Sequence, residues 1–327
     1  MGKLIKVAFV DFEPGFVPEK SLLYRILLQN YQVELSKEPE YLIYSNYGER
    51  HTRYDCVRIF YTRENVTPDF NFCDYAIGND YLMLGDRYFR FPAYYLDRET
   101  FAQMNDKTYF TSDNIRSKES FCGFHYDLAD ETPERNLFFE RLSQYRPVDA
   151  GGALHNNFEG VVSDRIPFLS TRKFTIAFEE CSYPGYTSDV LMQAFAAQTI
   201  PIYWGNPFIG REFNTQSFVN CHDFRSWSEV IDAVRRIDTN DELYLKMMRT
   251  PALTGPERDI DRMEENLSAF LCSIIDRPLE RARRTGRSVA RTAFEDRARM
   301  KEILWRISPM GLWETLINFI KSRKKSV

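Results

Sequence analysis

Between Lys173 and Asn220 the chain reads KFTIAFEECSYPGYTSDVLMQAFAAQTIPIYWGNPFIGREFNTQSFVN, and no other stretch constrains the fold as much. Phe174 to Phe178 is a short apolar run of strand-forming residues. Glu179 to Thr187 is a polar loop carrying Pro184 and Gly185. Leu191, Ala194, Phe195 and Gln198 then recur at helical spacing, and Ile200 to Trp204 is a second buried strand. The order strand, helix, strand makes a βαβ unit. Thr187 or Ser188 is placed to cap the helix, and Asp189 in its first turn suits the helix dipole. Such a helix start aims its free N–H groups at the loop mouth, where phosphate is the usual guest.

The same alternation runs through the rest of the chain. Residues 4–10, LIKVAFV, read as a first strand, closed by the turn Glu13-Pro14-Gly15. A helix over Ser21 to Gln29 follows, then strands at Tyr41 to Ser45, Val57 to Tyr61 and Tyr75 to Gly78. This pattern predicts an α/β fold with an open parallel sheet and functional loops at its edge. The polar stretch from Asn105 to Ser120 reads as a linker. Phe121 to Tyr126 restarts the strand pattern, Pro133 to Tyr145 is helical, and Ser226-Trp227-Ser228-Glu229 is a capping box ahead of Val230, Ile231, Val234 and Ile237. A chain of 327 residues suits two domains of ordinary size. The division expected is 1–115, 116–275 and a basic tail, 276–327.

Charge and cysteine usage narrow the function classes. Glu280 to Val327 carries thirteen Lys/Arg against five Asp/Glu, a net +8, which leaves −12 on residues 1–279 of a chain whose total is −4. So acidic a body argues against nucleic acid as a partner. No apolar run approaches the ~18 to 20 residues that span a bilayer. The opening MGKLIKVAFVDF has too short an apolar stretch for a signal peptide and alternates like a strand. Cys56, Cys73, Cys122, Cys181, Cys221 and Cys272 are scattered without a CxxC pair and read as buried thiols of a reducing compartment, so a cytoplasmic protein is expected.

FEECSYPGYTSDVLMQAF, TIPIYWGNP and FNTQSFVNCHDF resemble the donor-binding motif of the α-1,3/1,4-fucosyltransferases of bacterial type, glycosyltransferase family 10. YTRENVTPDFNFCDYAIG (Tyr61 to Gly78) and GDRYFRFPAYY (Gly85 to Tyr95) look like the amino-terminal domain of that family. FCGFHYD, ERNLFFERLSQYRPVDAGG and HNN, between Phe121 and Asn157, look like its approach to the donor domain. The resemblance covers roughly residues 5 to 270. It implies a GT-B fold, two Rossmann-like domains facing a central cleft, here with a C-terminal helical tail. It also implies inverting, metal-independent transfer of L-fucose from GDP-fucose to a hydroxyl, O3 by preference, of an N-acetylglucosamine or glucose unit in a surface glycan precursor, which family members often meet as a lipid-linked oligosaccharide. Two other readings stay open: a transferase using a different GDP-deoxysugar, and a non-catalytic relative that binds a nucleotide sugar or glycan.

The chemistry needs a base for the acceptor hydroxyl and a cation for the departing diphosphate. By the resemblance, Glu64 of Tyr61-Thr62-Arg63-Glu64-Asn65 is the general base, with Arg63 where the family has a small residue. Arg63, if close, would favour the ionised carboxylate. Arg135, in Pro133-Glu134-Arg135-Asn136-Leu137-Phe138-Phe139, matches the arginine that binds diphosphate, a role its guanidinium fork suits. Tyr186, after Gly185, belongs to the segment set against the donor nucleotide, and Ser188 and Asp189 shape the pocket. Two positions depart from the pattern. Glu180 stands where the family has an amide, and Val190 where it has a phosphate-binding lysine, in Ser188-Asp189-Val190 for TEK. Both make the site less positive, and one unit-charge contact at ~4 Å is worth up to roughly 4 kcal/mol at intermediate dielectric. Arg63, Arg172 and Lys173 are the compensating cations the sequence offers.

Other signals carry less. Asp259-Ile260-Asp261 is a DxD lying in the polar helical segment PERDIDRMEEN, so no metal site is assigned to it. His51, His125, His155 and His222 lack ligand spacing. In the tail, Arg281, Arg283, Arg284, Arg287, Arg291, Arg297 and Arg299 precede Trp305. Leu312, Trp313, Leu316, Ile317, Phe319 and Ile320 then form an apolar face closed by Lys321, Arg323, Lys324 and Lys325. This is the pattern of a helix lying peripherally on an anionic membrane surface, here the inner face of the cell membrane, or of a helix docked on protein.

Overall fold

The computed structural model of the protein describes residues 2–105, 118–253, 255, 259–284 and 289–310. Two parallel sheets carry the fold. The first has the order β2-β1-β3-β4-β5-β6, from β1 (Leu4–Val10), β2 (Gln32–Leu35), β3 (Tyr41–Tyr44), β4 (Val57–Tyr61), β5 (Tyr75–Gly78) and β6 (Tyr88–Arg90). The second has the order β11-β10-β9-β7-β8, from β7 (Ser120–Phe124), β8 (Val148–Ala150), β9 (Arg172–Phe178), β10 (Ile200–Trp204) and β11 (Val219–Asn220). All pairings within both are parallel. Burial on both faces explains continuous apolar runs such as Tyr41-Leu42-Ile43-Tyr44, every residue of which is buried.

Strand order fixes where a ligand goes. In the second sheet the chain passes from β7 outward to β8, then returns to β9 on the other side of β7. The crevice beyond the carboxyl ends of β7 and β9 is therefore a topological switch point, the usual ligand position in such sheets. The first sheet has its switch between β1 and β3. Glu64, in the loop after β4, borders the cavity at the second sheet's crevice.

The domains are joined by an apolar contact as well as by the chain. Helix Arg98–Asn105 buries Phe101 and Met104 in the same core as Leu191, Met192 and Phe195 of helix Val190–Ala196. The latter buries six of its seven residues, as a helix enclosed on all sides must. A hydrophobic interface of this kind restrains relative domain motion.

Helix Ile260–Ile275 falls in the segment assigned to the second domain, yet it returns to the first. Leu267, Leu271, Ile274 and Ile275 pack in one core with Ile5, Leu23 and Tyr41. Lys3 Nζ and Tyr41 Oη both donate to the Ile275 carbonyl, at 2.6 and 3.1 Å. The DxD opens this helix: Asp259 accepts from Arg262 N (3.0 Å) as its cap, and Asp261 pairs with Arg98 (2.7 Å). Part of the tail also docks on the first domain. Helix Val289–Ile307 places Glu295 2.6 Å from Arg58 and Phe294 against Phe72, and Arg299 donates to the Thr52 carbonyl. Most of the expected linker and the apolar residues from Leu312 onward lie outside the described residues. Among those described, no helix is long and apolar enough to cross a membrane. All six thiols are free, but Cys56, Cys181 and Cys272 are only half-buried.

Candidate active site

A cavity of about 500 Å³ opens at the switch point of the second sheet. Tyr126 follows β7; Glu179 and Glu180 follow β9; Ser188, Asp189 and Val190 lead into the next helix; Arg135 and Arg165 reach in from two further helices; and Glu64 enters from the first domain. Thus Glu64, Arg135, Glu180, Tyr186, Ser188, Asp189 and Val190, predicted from separate stretches of the chain, line one space.

Arg135 is held by local geometry. Thr132 caps the helix, accepting from Arg135 N at 3.3 Å, and Pro133 presets its first turn. The residue is 4% exposed. Its Nε and Nη2 donate to the Phe178 carbonyl at 3.2 and 2.8 Å, Nη1 donates to the Asp130 carbonyl, and the guanidinium carbon lies 4.3 Å from the centre of the Tyr126 ring. The end of β9 thereby aims the cation into the cavity.

Glu64 is positioned from the first sheet. Its N–H donates to Thr62 Oγ1 (3.0 Å), its carbonyl accepts from Asn79 Nδ2 (3.1 Å), and its carboxylate accepts from Tyr47 Oη (2.7 Å). Burial, together with that carboxylate, pushes the Tyr47 phenol up to about 12, so Tyr47 remains a donor. Glu64 also borders a second cavity of about 270 Å³, lined by Tyr47, Tyr61 and the stacked rings of Phe12 and Phe16. It therefore stands between two spaces.

The loop carrying Tyr186 is seated on the first domain. Gly185 has φ +96°, and a Cβ there would lie 2.6 Å from the Asn79 carbonyl oxygen. Its close approach is therefore to the other domain's backbone. Gly185 N donates to Asn206 Oδ1 (3.0 Å), and its carbonyl accepts from Arg90 Nη2 (2.9 Å). Tyr186 is buried, and desolvation with the nearby carboxylates Glu179, Glu180 and Glu64 raises its phenol far above the ordinary range.

The start of helix Val190–Ala196 differs from expectation. Asp189 is the capping position without a side-chain cap bond, and it accepts from Gln193 Nε2 at 2.7 Å instead. Ser188 N donates to Glu179 Oε1 (3.0 Å), and Val190 N donates to Ser188 Oγ (3.3 Å). Two N–H groups expected to face phosphate are thus satisfied by the protein.

The three compensating cations are engaged elsewhere. Arg63 pairs with Glu13 (3.0 Å) and not with Glu64, Arg172 with Asp149 (3.0 Å), and Lys173 with Asp238 (2.7 Å). Glu179, Tyr126 and Arg165 also line the cavity; the sequence motifs contain the first two without marking them as site residues. Glu179 is fully buried against Gly205, where a Cβ would come 2.2 Å from its Cγ. Its Oε1 takes the Ser188 bond and a longer one from Tyr203 Oη (3.4 Å), its Oε2 has no partner, and burial raises its carboxyl to about 7. Only the glutamate's place directly after a buried strand could have hinted at it. Among the described residues no three or more His, Cys, Asp or Glu side chains are grouped to hold a metal ion.

The family model for the alpha-(1,3)-fucosyltransferase FucT N-terminal domain matches residues 7–97, and that for the glycosyltransferase family 10 (fucosyltransferase) C-terminal region matches residues 115–291. The alpha-(1,3)-fucosyltransferase FucT of Helicobacter pylori is 35% identical over 267 residues, covering 70% of this chain and 56% of that protein, so the chain spans little more than half of its relative. The crystal structure of an alpha1,3-fucosyltransferase with GDP-fucose is similar at a TM-score of 0.68 and 28% identity, covering 83% of this chain and 91% of that one. The corresponding structure with GDP gives 0.70 and 27%, covering 84% and 91%.

Proposed function

The chain belongs to glycosyltransferase family 10, the fucosyltransferases, and from that premise we propose that it transfers L-fucose from GDP-fucose to a hydroxyl of an oligosaccharide. The observation that carries this reading is the meeting of Glu64, from the first domain, with Arg135 and Tyr186, from the second, around one cavity.

In this reading GDP lies along the crevice of the second sheet with its diphosphate toward Arg135. The acceptor sugar enters from the cavity lined by Phe12, Phe16, Tyr47 and Tyr61. Its hydroxyl oxygen attacks C1 of fucose from the face opposite the nucleotide. The hydroxyl proton passes to Glu64, the bond from C1 to the β-phosphate oxygen breaks, and GDP leaves with the electron pair. Attack from the opposite face inverts the anomeric centre. Tyr47, donating to Glu64, orients the carboxylate. The negative charge that grows on the leaving diphosphate is what Arg135 stabilises. O3 of an N-acetylglucosamine or glucose unit in a surface glycan precursor is the acceptor the family resemblance favours.

Glu180 and Val190 line the cavity at family-variant positions and favour a second reading, transfer of a different GDP-deoxysugar. Calorimetric titration separates the two. GDP-fucose binding that exceeds UDP binding and survives EDTA supports the first, and binding of GDP without GDP-fucose supports the second. Glu64→Gln should retain GDP binding and lower turnover by about 10²- to 10⁴-fold; full transfer activity in that variant would remove Glu64 as the base.

A further inference from the structure

We infer that Arg165 is a second phosphate-binding cation of this site, standing in for the lysine absent at Val190; the inference rests on reading the cavity as a GDP-sugar site. The charge balance of the cavity raises the question. Glu64, Asp130, Glu131, Glu179, Glu180 and Asp189 border it, and Arg135 and Arg165 are the cations among its described lining residues. At the helix start the N–H groups of Ser188 and Val190 are already taken by Glu179 and Ser188, which leaves fewer backbone donors for a diphosphate. Arg135 has committed at least three of its five N–H donors to the carbonyls of Phe178 and Asp130.

Arg165 is in the opposite condition. It opens the short helix Arg165–Ser170, borders the same cavity, and makes no side-chain hydrogen bond or ion pair within the described residues. Its Nε is shielded from solvent without an acceptor, a cost that a ligand oxygen would remove. Its guanidinium carbon lies 5.0 Å from the centre of the Tyr126 ring, the ring that also holds Arg135 at 4.3 Å. Tyr126 is itself fixed, its hydroxyl donating to the Phe178 carbonyl (3.0 Å) and accepting from Phe178 N (2.8 Å). One hydrogen-bonded ring thus lies beside two guanidiniums at one end of the cavity, one tied to the backbone and one without a hydrogen-bond partner among the described residues. A planar fork with free donors is the geometry that takes phosphate oxygens in pairs.

Calorimetric titration of the full chain with GDP and with guanosine tests this, using wild type, Arg165→Gln and the double variant Arg165→Gln/Val190→Lys, with melting temperatures as the control for folding. Loss of one charge-assisted phosphate contact should weaken GDP binding about tenfold or more in Arg165→Gln. Guanosine binding should be unchanged, and adding Val190→Lys should restore most of the loss. Equal GDP affinity in wild type and Arg165→Gln would overturn the inference while leaving the GDP site intact. So would a loss shared by guanosine, or a fall in melting temperature with no recovery of GDP binding in the double variant, each of which marks a structural role. Failure of wild type to bind GDP at all would overturn the inference and the reading beneath it together.

Discussion

Glu179 illustrates what a single buried residue does to the pH behaviour of the whole. Its carboxyl titrates near 7 in the folded protein, raised by burial from an ordinary value of 4.5. The folded state therefore holds this proton more tightly than the unfolded state. The associated stability is fully present below pH 4.5 and lost as pH rises through 7, a loss on the order of 3 kcal/mol. Glu179→Gln keeps the acceptor for Ser188 N and cannot ionise. It should match wild type in melting temperature at pH 5 and exceed it by several degrees at pH 8; equal melting at both pH values would refute the assignment. None of this was legible in the sequence, because the burial comes from Tyr203 and Gly205 on and just after the neighbouring strand. Arg172 and Lys173 failed as site cations for a related reason. Proximity in sequence to a functional strand does not set side-chain direction, and both leave the cavity for Asp149 and Asp238. Glu64, Arg135 and Tyr186 were identified by motif, and the fold brings them to one cavity.

At the scale of elements, the loop before helix Val190–Ala196 depends on a contact between domains. Arg90 donates to the Gly185 carbonyl and pairs at 2.8 Å with buried Glu212, which also accepts from the hydroxyls of Tyr81 and Tyr94. Gly185→Ala would force a Cβ against backbone atoms of Asn79, Asp80 and Tyr81 at a φ that L side chains rarely adopt. The loop should lift from its seat at a cost of about 1–3 kcal/mol, lowering both melting temperature and GDP affinity. A variant indistinguishable from wild type in both would show that the seat is dispensable. The element pattern itself was largely readable, since buried parallel strands and side-chain-capped helices leave periodic and local signals. The strands that escaped were β2 and β6 on the two edges of the first sheet and the three-residue β8 and two-residue β11 on the two edges of the second. Their runs are too short or too polar to show a period: β2 is Gln-Val-Glu-Leu with three exposed residues.

At the scale of the molecule, helix Ile260–Ile275 ties the end of the second domain to the core of the first. Leu271 is fully buried there, so Leu271→Ala should cost about 2–5 kcal/mol. Because Leu191 and Phe195 share that core, calorimetry should show the loss as one lowered transition for both domains; two separated transitions would contradict the shared core. Periodicity in the sequence predicts such a helix but not which of two sheets it covers. The crossing also imposes an order on synthesis. The helix that closes over Ile5, Leu23 and Tyr41 is made about 155 residues after the end of helix Arg98–Asn105. At ~5–20 residues per second, that face of the first sheet emerges from the ribosome and waits roughly 10 to 30 s for its cover. The domain translated first is thus the one completed last.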